Sequence, residues 1–369
     1  MRGVIVPDDE SRAIACHWML LRLSGELPDD LATQCRAWLA RGRELDLGRA
    51  VARAVLAQRT PLTGPDLGLL AELLVEAGMD ASALSMVDVA SLDQVPRYGF
   101  VSSRAMIEGI LGGDVGAGPP AMPAGQGQEQ VEDVVESGAL AAVAGEPGAL
   151  ALWRSWRFPS DGAPWPPPKR VFVVEVDEAA DPVGITDRVQ GAVAAAGEAA
   201  PQVEVYPRRA ELPGYQRLAR AYGALLWATV PDSGVKIAVL FDRVDPQAGP
   251  RMHPDHPKAA GAERERLLGY LRRGEPLLVT TARMDDVVDT ALQAAVPMNF
   301  VTDGVFIWTD ASTYYLERHG LLPDPELVEH IRARDYQPAP VDGAAVHRAL
   351  AALQEPATEE PAWTYGGRA

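Results

Sequence analysis

At 369 residues, with 47% hydrophobic and 23% charged residues, the chain is long enough for two or three domains with real cores. Its 34 Lys and Arg against 51 Asp and Glu give a formal charge of −17, which repels phosphate backbones and argues against nucleic-acid binding. The same charge suits a basic protein partner by steering its approach, or serves only solubility. Cys16 and Cys35, the two cysteines, make no disulfide framework and fit a reducing compartment. No apolar run approaches the ~18 residues of a membrane span, and Pro7-Asp8-Asp9-Glu10 stands where a signal peptide needs its apolar core. A cytoplasmic protein without membrane contact is expected.

Taken in order, residues 1–95 read as a helical bundle. Ile14, Trp18, Leu21 and Leu23 recur near helical spacing, and Pro28-Asp29-Asp30 opens a second helix carrying Leu31, Cys35, Trp38 and Leu39. A third carries Leu47, Val51, Val55 and Leu56. Thr63-Gly64-Pro65-Asp66 starts a fourth, with Leu67, Leu70, Leu73 and Val75 on its buried face and Gly78 as its stop. Trp18 and Trp38 mark either a binding groove or the bundle core.

Residues 96–168 read as a Gly/Pro-rich acidic linker with loops, and one helix is expected at about 129–144. The glycine-rich run 112–118 follows no strand, so it is not read as a phosphate loop. Trp153-Arg154-Ser155-Trp156-Arg157-Phe158 interleaves aromatics with arginines. That pattern stacks on bases or ties the linker to the next domain, and the acidity favours the tie.

From Lys169 to residue 354 strands and helices alternate. Strands are expected at 170–177, 202–206, 236–241 and 276–280, with helices after Asp181-Pro182, over 213–227 and over 259–273. This order predicts an α/β domain (α+β is the alternative) with a layered, mixed, partly parallel sheet. Asp303-Gly304 turns one strand back on the next, Val305-Phe306-Ile307-Trp308, and a helix capped at Thr309 or Asp310 runs to Gly320. A flexible tail is expected over 355–369.

No nucleophile–base set, metal cluster or phosphate loop stands out, so catalytic residues, cofactors and metal ligands are expected to be absent. Two surfaces remain. Asp242 and Asp245 follow one strand directly, and Arg283, Asp285 and Asp286 follow another. If those strands are adjacent and parallel, the five gather at one sheet edge, where paired acids hold a divalent ion. The second surface is aromatic and acidic: Asp303, Trp308, Asp310, Tyr314, Tyr315 and Glu317. Tyr314 and Tyr315 point about 100° apart on a helix, so one of them is expected to be exposed. An exposed tyrosine among acids is interface material.

Pro201–Tyr206, Leu225-Leu226-Trp227-Ala228, Phe241–Pro246 and Thr302-Asp303-Gly304 with Ile307–Asp310 resemble an uncharacterised family of actinobacterial cytosolic proteins. The Thr-Asp-Gly, Ile-Trp and Tyr-Tyr-Leu pieces are also similar to some immunity proteins of polymorphic toxin systems. Those proteins bind and occlude a toxin's active site. The resemblance implies a non-enzymatic protein-binding module that covers a basic partner. The alternatives are a metal- or nucleotide-dependent enzyme or regulator using the strand-end acids, and a structural subunit of a larger assembly.

Overall fold

The computed structural model describes residues 9–90, 96–111, 133–161, 163, 165–245, 247 and 249–354. The glycine-rich run 112–118, the start of the helix expected near 129 and the tail 355–369 lie outside the described residues. The chain is α/β, helices first and then mixed sheets, and it divides into two compact units at Pro231/Asp232.

The first unit opens with α1 (Asp9–Arg22), α2 (Asp29–Leu39), α3 (Glu44–Gln58) and α4 (Gly64–Glu76). The Thr63 hydroxyl caps α4 by accepting the Asp66 N–H, with Pro65 in the first turn. Leu47, Val51, Leu70 and Leu73 are buried in the bundle core with Cys16 and Cys35. Val75, expected on that face, is 66% exposed, and Leu74 is buried instead.

There follow β1 (Tyr98–Val101), α5 (Arg104–Leu111), α6 (Val134–Ala144), β2 (Ala149–Pro159), β3 (Lys169–Val176), α7 (Pro182–Ala195), β4 (Gln202–Pro207), α8 (Gly214–Ala221) and β5 (Ala224–Ala228). β2 lies antiparallel to β3, and β3 lies parallel to β4 across the α7 crossover. β2 is long enough for two partners on its other edge: β5 pairs with 151–154 and β1 with 156–159.

Two expectations fail here. Residues 96–168 are not only linker, because β1, α5, α6 and β2 are built from them. Nor does the bundle end as a domain at 95. The buried Glu204 of β4 accepts from Arg36 Nη2 at 2.6 Å, Ser24 Oγ at 2.8 Å and Gln216 Nε2 at 2.9 Å. His17 Nε2 donates to the Val205 carbonyl at 2.8 Å. An arginine buried to 3% exposure requires its counter-charge; that counter-charge is on β4, so helices and sheet, each with its own apolar core, belong to one compact unit.

The helix expected over 213–227 splits at Gly223. A Cβ there would lie 2.6 Å from the Ala219 carbonyl and 2.8 Å from that of Arg154. Only glycine lets α8 end so close to β2 and turn into β5.

The second unit contains β6 (Lys236–Ile237), the hairpin β7 (Arg243–Asp245) and β8 (Gly249–Arg251), α9 (Gly261–Leu271), β9 (Glu275–Leu278), β10 (Arg283–Met284), β11 (Val296–Pro297), β12 (Phe300–Thr302), β13 (Phe306–Thr309), α10 (Asp310–His319), α11 (Pro325–Ala333) and α12 (Gly343–Gln354). Its main sheet has the order β6-β13-β12-β9, with β6 parallel to β13 and the other pairs antiparallel. The Asp303-Gly304 turn joins β12 to β13, with Gly304 at φ +87°. α10 starts after Thr309 and stops at the left-handed Gly320. α9, within the helix expected over 259–273, buries Leu267, Leu268, Tyr270 and Leu271 against Trp308 and Leu316.

Candidate functional site

The five strand-end residues do not gather. β6 and β9, which carry the expected strands at 236–241 and 276–280, stand at opposite edges of the sheet, and β9 is antiparallel to its neighbour. The condition for a shared edge therefore fails. Each acid instead holds its own loop. Asp242 accepts from the His253 N–H at 2.6 Å and faces His256 Nδ1 at 2.9 Å. Asp245 accepts from the Gln247 N–H and Asp285 from the Ala294 N–H, each at 2.8 Å. Arg283 donates to the Ala295 carbonyl. Asp286 is 1% exposed and accepts from the N–H groups of Val288 and Asp289, from the Tyr314 hydroxyl and from His319 Nε2. Asp245 and Asp286 are turn caps of the Asx kind, whereas Asp242 and Asp285 tie more distant loop residues. Among the described residues no group of three or more His, Cys, Asp or Glu is placed to hold a metal ion.

The aromatic surface is likewise taken apart. Trp308 and Tyr315 are each 1% exposed and Asp303 is 4% exposed, so all three are interior. Trp308 packs in the core beside Tyr270, their ring centroids 6.2 Å apart. The Tyr315 hydroxyl accepts from the Val287 N–H. Asp303 caps the hairpin turn through the N–H groups of Val305 and Phe306, and accepts from Tyr270 at 2.5 Å and His330 at 2.6 Å. Burial raises its carboxyl pKa, but these hydrogen bonds outweigh burial and hold it below the usual carboxylate range. Tyr314 and Asp310 are half-buried, and of the six residues only Glu317 is exposed. The pattern of residues was correct for a strand–turn–helix unit. Its aromatics face inward because the β13 side chains and one face of α10 close the core of this unit.

A different region has the form of a site. In the first unit a cleft of about 380 Å³ opens where the chain leaves β4. α1 contributes Trp18 and Arg22, and the turn after it Glu26. Pro61, Leu62 and Thr63 come from the approach to α4, and Arg97 and Tyr98 from the start of β1. Glu211, Leu212 and Pro213 follow β4, and Tyr215 and Arg217 lie in the first turn of α8. This is the carboxyl end of a strand in a parallel pair, where open α/β sheets place their ligands. The parallel pair that meets the condition of the rule is β3 and β4.

Local chemistry fixes the walls. Gly25 sits at φ +80°, and a Cβ on it would meet the rings of Tyr215 at 2.8 Å and Tyr98 at 2.9 Å. Tyr98 carries the Arg157 guanidinium 4.6 Å from its ring centroid, and Arg157 is held by Asp29 at 2.7 Å. Burial raises the Tyr98 phenol above its ordinary pKa. Asp66 neutralises Arg22 through bonds of 2.6 and 2.8 Å. Thr63 donates to Asp66, and Ser24 to Glu204. The serine and threonine hydroxyls of the lining are therefore engaged, the Tyr215 hydroxyl accepts from Arg157 at 3.2 Å, and no histidine, cysteine or lysine lines the cleft.

Of these residues the sequence singled out only Trp18, which is half-buried here and so serves as a wall. Trp38 packs partly buried against the bundle, 5.5 Å from the Arg43 guanidinium. The Trp153–Phe158 run is no stacking platform: it is β2, with Trp153 fully buried and Trp156 beneath Arg170 at 4.8 Å. No family model, curated protein or solved structure matches the chain.

Proposed function

We propose that this chain is a non-enzymatic, cytoplasmic protein-binding module of the immunity or antitoxin-like kind, and that its partner seats in the cleft of the first unit. The observation that carries this reading is the cleft itself. It has aromatic and proline walls, a volume of about 380 Å³, and serine and threonine hydroxyls already committed to internal bonds. Such a lining suits recognition, because aromatic and proline walls give contact area while its serine and threonine hydroxyls are occupied. The formal charge of −17 supports a partner with a basic face, drawn in at a rate that falls as salt rises. No helix of the described residues is long and apolar enough to cross a membrane.

The test fills the cleft. Ala210 lines it and is half-buried, so Ala210→Trp occupies the space from its edge. The tagged wild type and this variant, matched in circular dichroism and melting temperature, are used to capture partners from lysate of the native cells at low and moderate salt. One stoichiometric basic partner is expected on the wild type and not on the variant. Equal capture by both, or capture of nothing by either, would sink the reading.

A further inference from the structure

Within the cleft one charge is left unanswered. The Glu26 side chain is 19% accessible, accepts no side-chain hydrogen bond among the described residues, and has Arg97 no nearer than 3.8 Å. The Arg97 side chain is itself 71% exposed, and a pair so loose and wet contributes little. A carboxylate drawn this far out of water without a close partner is costly in the free protein. Arg217 and Glu211, the other charges at the mouth, are exposed and hydrated, so neither has a comparable deficit. Arg22 is already satisfied by Asp66. The site that gains most from a ligand charge is Glu26, and the charge that it needs is positive.

Resting on the cleft reading above, we propose that the group seated there is an arginine side chain on an extended segment of the partner, with Glu26 as its counter-charge and Trp18 and Tyr98 as its walls. Arginine fits better than lysine. A planar guanidinium stacks on an aromatic face and can hold a carboxylate through two parallel bonds, whereas an ammonium is a compact, strongly hydrated point charge. The acidic chain supplies the long-range attraction, and Glu26 the local choice.

The experiment titrates full-length protein by calorimetry with three capped Gly-Ser-X-Ser-Gly peptides, X being arginine, lysine or citrulline. The arginine peptide is expected to bind, the lysine peptide more weakly, and the neutral citrulline peptide about tenfold more weakly or worse. Glu26→Gln is expected to cost the arginine peptide about tenfold as well, without lowering the melting temperature.

Equal binding of arginine and citrulline peptides, or an unchanged affinity in Glu26→Gln, overturns the proposal. Agmatine binding as tightly as the arginine peptide would assign the cleft to a free guanidinium compound and overturn the protein segment. Partner capture lost in Ala210→Trp but kept in Glu26→Gln would leave the cleft reading standing and remove this one.

Discussion

In the first unit two of the deeply buried carboxylates meet guanidinium groups, Glu204 meeting Arg36 at 2.6 Å and Glu136 meeting Arg154 at 3.1 Å, while a third, Glu175, accepts from the Tyr206 hydroxyl. In the second unit the buried carboxylates meet rings: Asp286 faces His319 and Tyr314, and Asp303 faces His330 and Tyr270. A guanidinium stays charged at every accessible pH. The ion pairs of the first unit therefore respond to acid only through their carboxylates. The histidine of that unit is the exception, since His17 is 2% exposed and bonds to a carbonyl rather than an acid. Burial, against the pull of the Val205 carbonyl, lowers its pKa to about 4. A buried charge needs an answering charge; where only a dipole answers, the group stays neutral.

The comparison can be broken most directly at Trp308. Trp308→Ala deletes a buried indole and is expected to destabilise the second unit by about 3–5 kcal/mol. Hydrogen exchange should speed up in α9, α10 and α11 and remain slow in β2–β4. Exchange unchanged throughout, with partner capture lost, would return Trp308 to an interface.

A second test uses pH. Unfolded imidazole titrates near 6.5, whereas folded His17 resists protonation down to about 4. The unfolded chain therefore takes up the proton first as pH falls. The contribution of His17 is whole above 6.5, shrinks between 6.5 and 4, and totals up to roughly 3 kcal/mol. The carboxyls of Asp286 and Asp303 lie below their usual range, because hydrogen bonds to the ionised form outweigh the opposing effect of burial. Their contribution is whole above the unfolded value of ~4 and is lost as pH falls below it. Acid should thus loosen α1 and β4 before α10 and β12–β13, as read by exchange corrected for its intrinsic pH dependence. His17→Gln should flatten the first response; an identical pH profile in that variant would show that another group carries it.

The smallest effect sharpens the second unit. Tyr315→Phe keeps the ring but leaves the Val287 N–H without its acceptor at 3.1 Å. The expected cost is about 1 kcal/mol, seen as a drop of a few degrees in melting temperature.

What the sequence made legible was local. Asp181 accepts from Val183 and Gly184 ahead of Pro182, and α7 begins where that signature placed it. The Asp303-Gly304 hairpin and the Gly320 stop have the same character, in that each is decided by residues three or four apart. β2 was misread because Arg154 and Arg157, set among tryptophans, have the composition of a surface. Arg157 is buried only by virtue of Asp29, 128 positions earlier. Asp303 and Asp286 misled in the opposite direction: an acid in a turn looks exposed until the tyrosine and histidine above it are placed. The cleft left little trace, since its walls come from five separate stretches between Trp18 and Arg217.

The separation of Arg36 from Glu204 by 168 positions also has a consequence in time. A ribosome adding about 5–20 residues per second needs on the order of ten to thirty seconds to cover that distance. From the addition of Glu76 onward the four N-terminal helices are complete as chain but hold a guanidinium whose answering acid has not yet been synthesised. The nascent bundle is expected to remain loose and reversible until β4 emerges, and a fragment ending near residue 95 should stay in that provisional state.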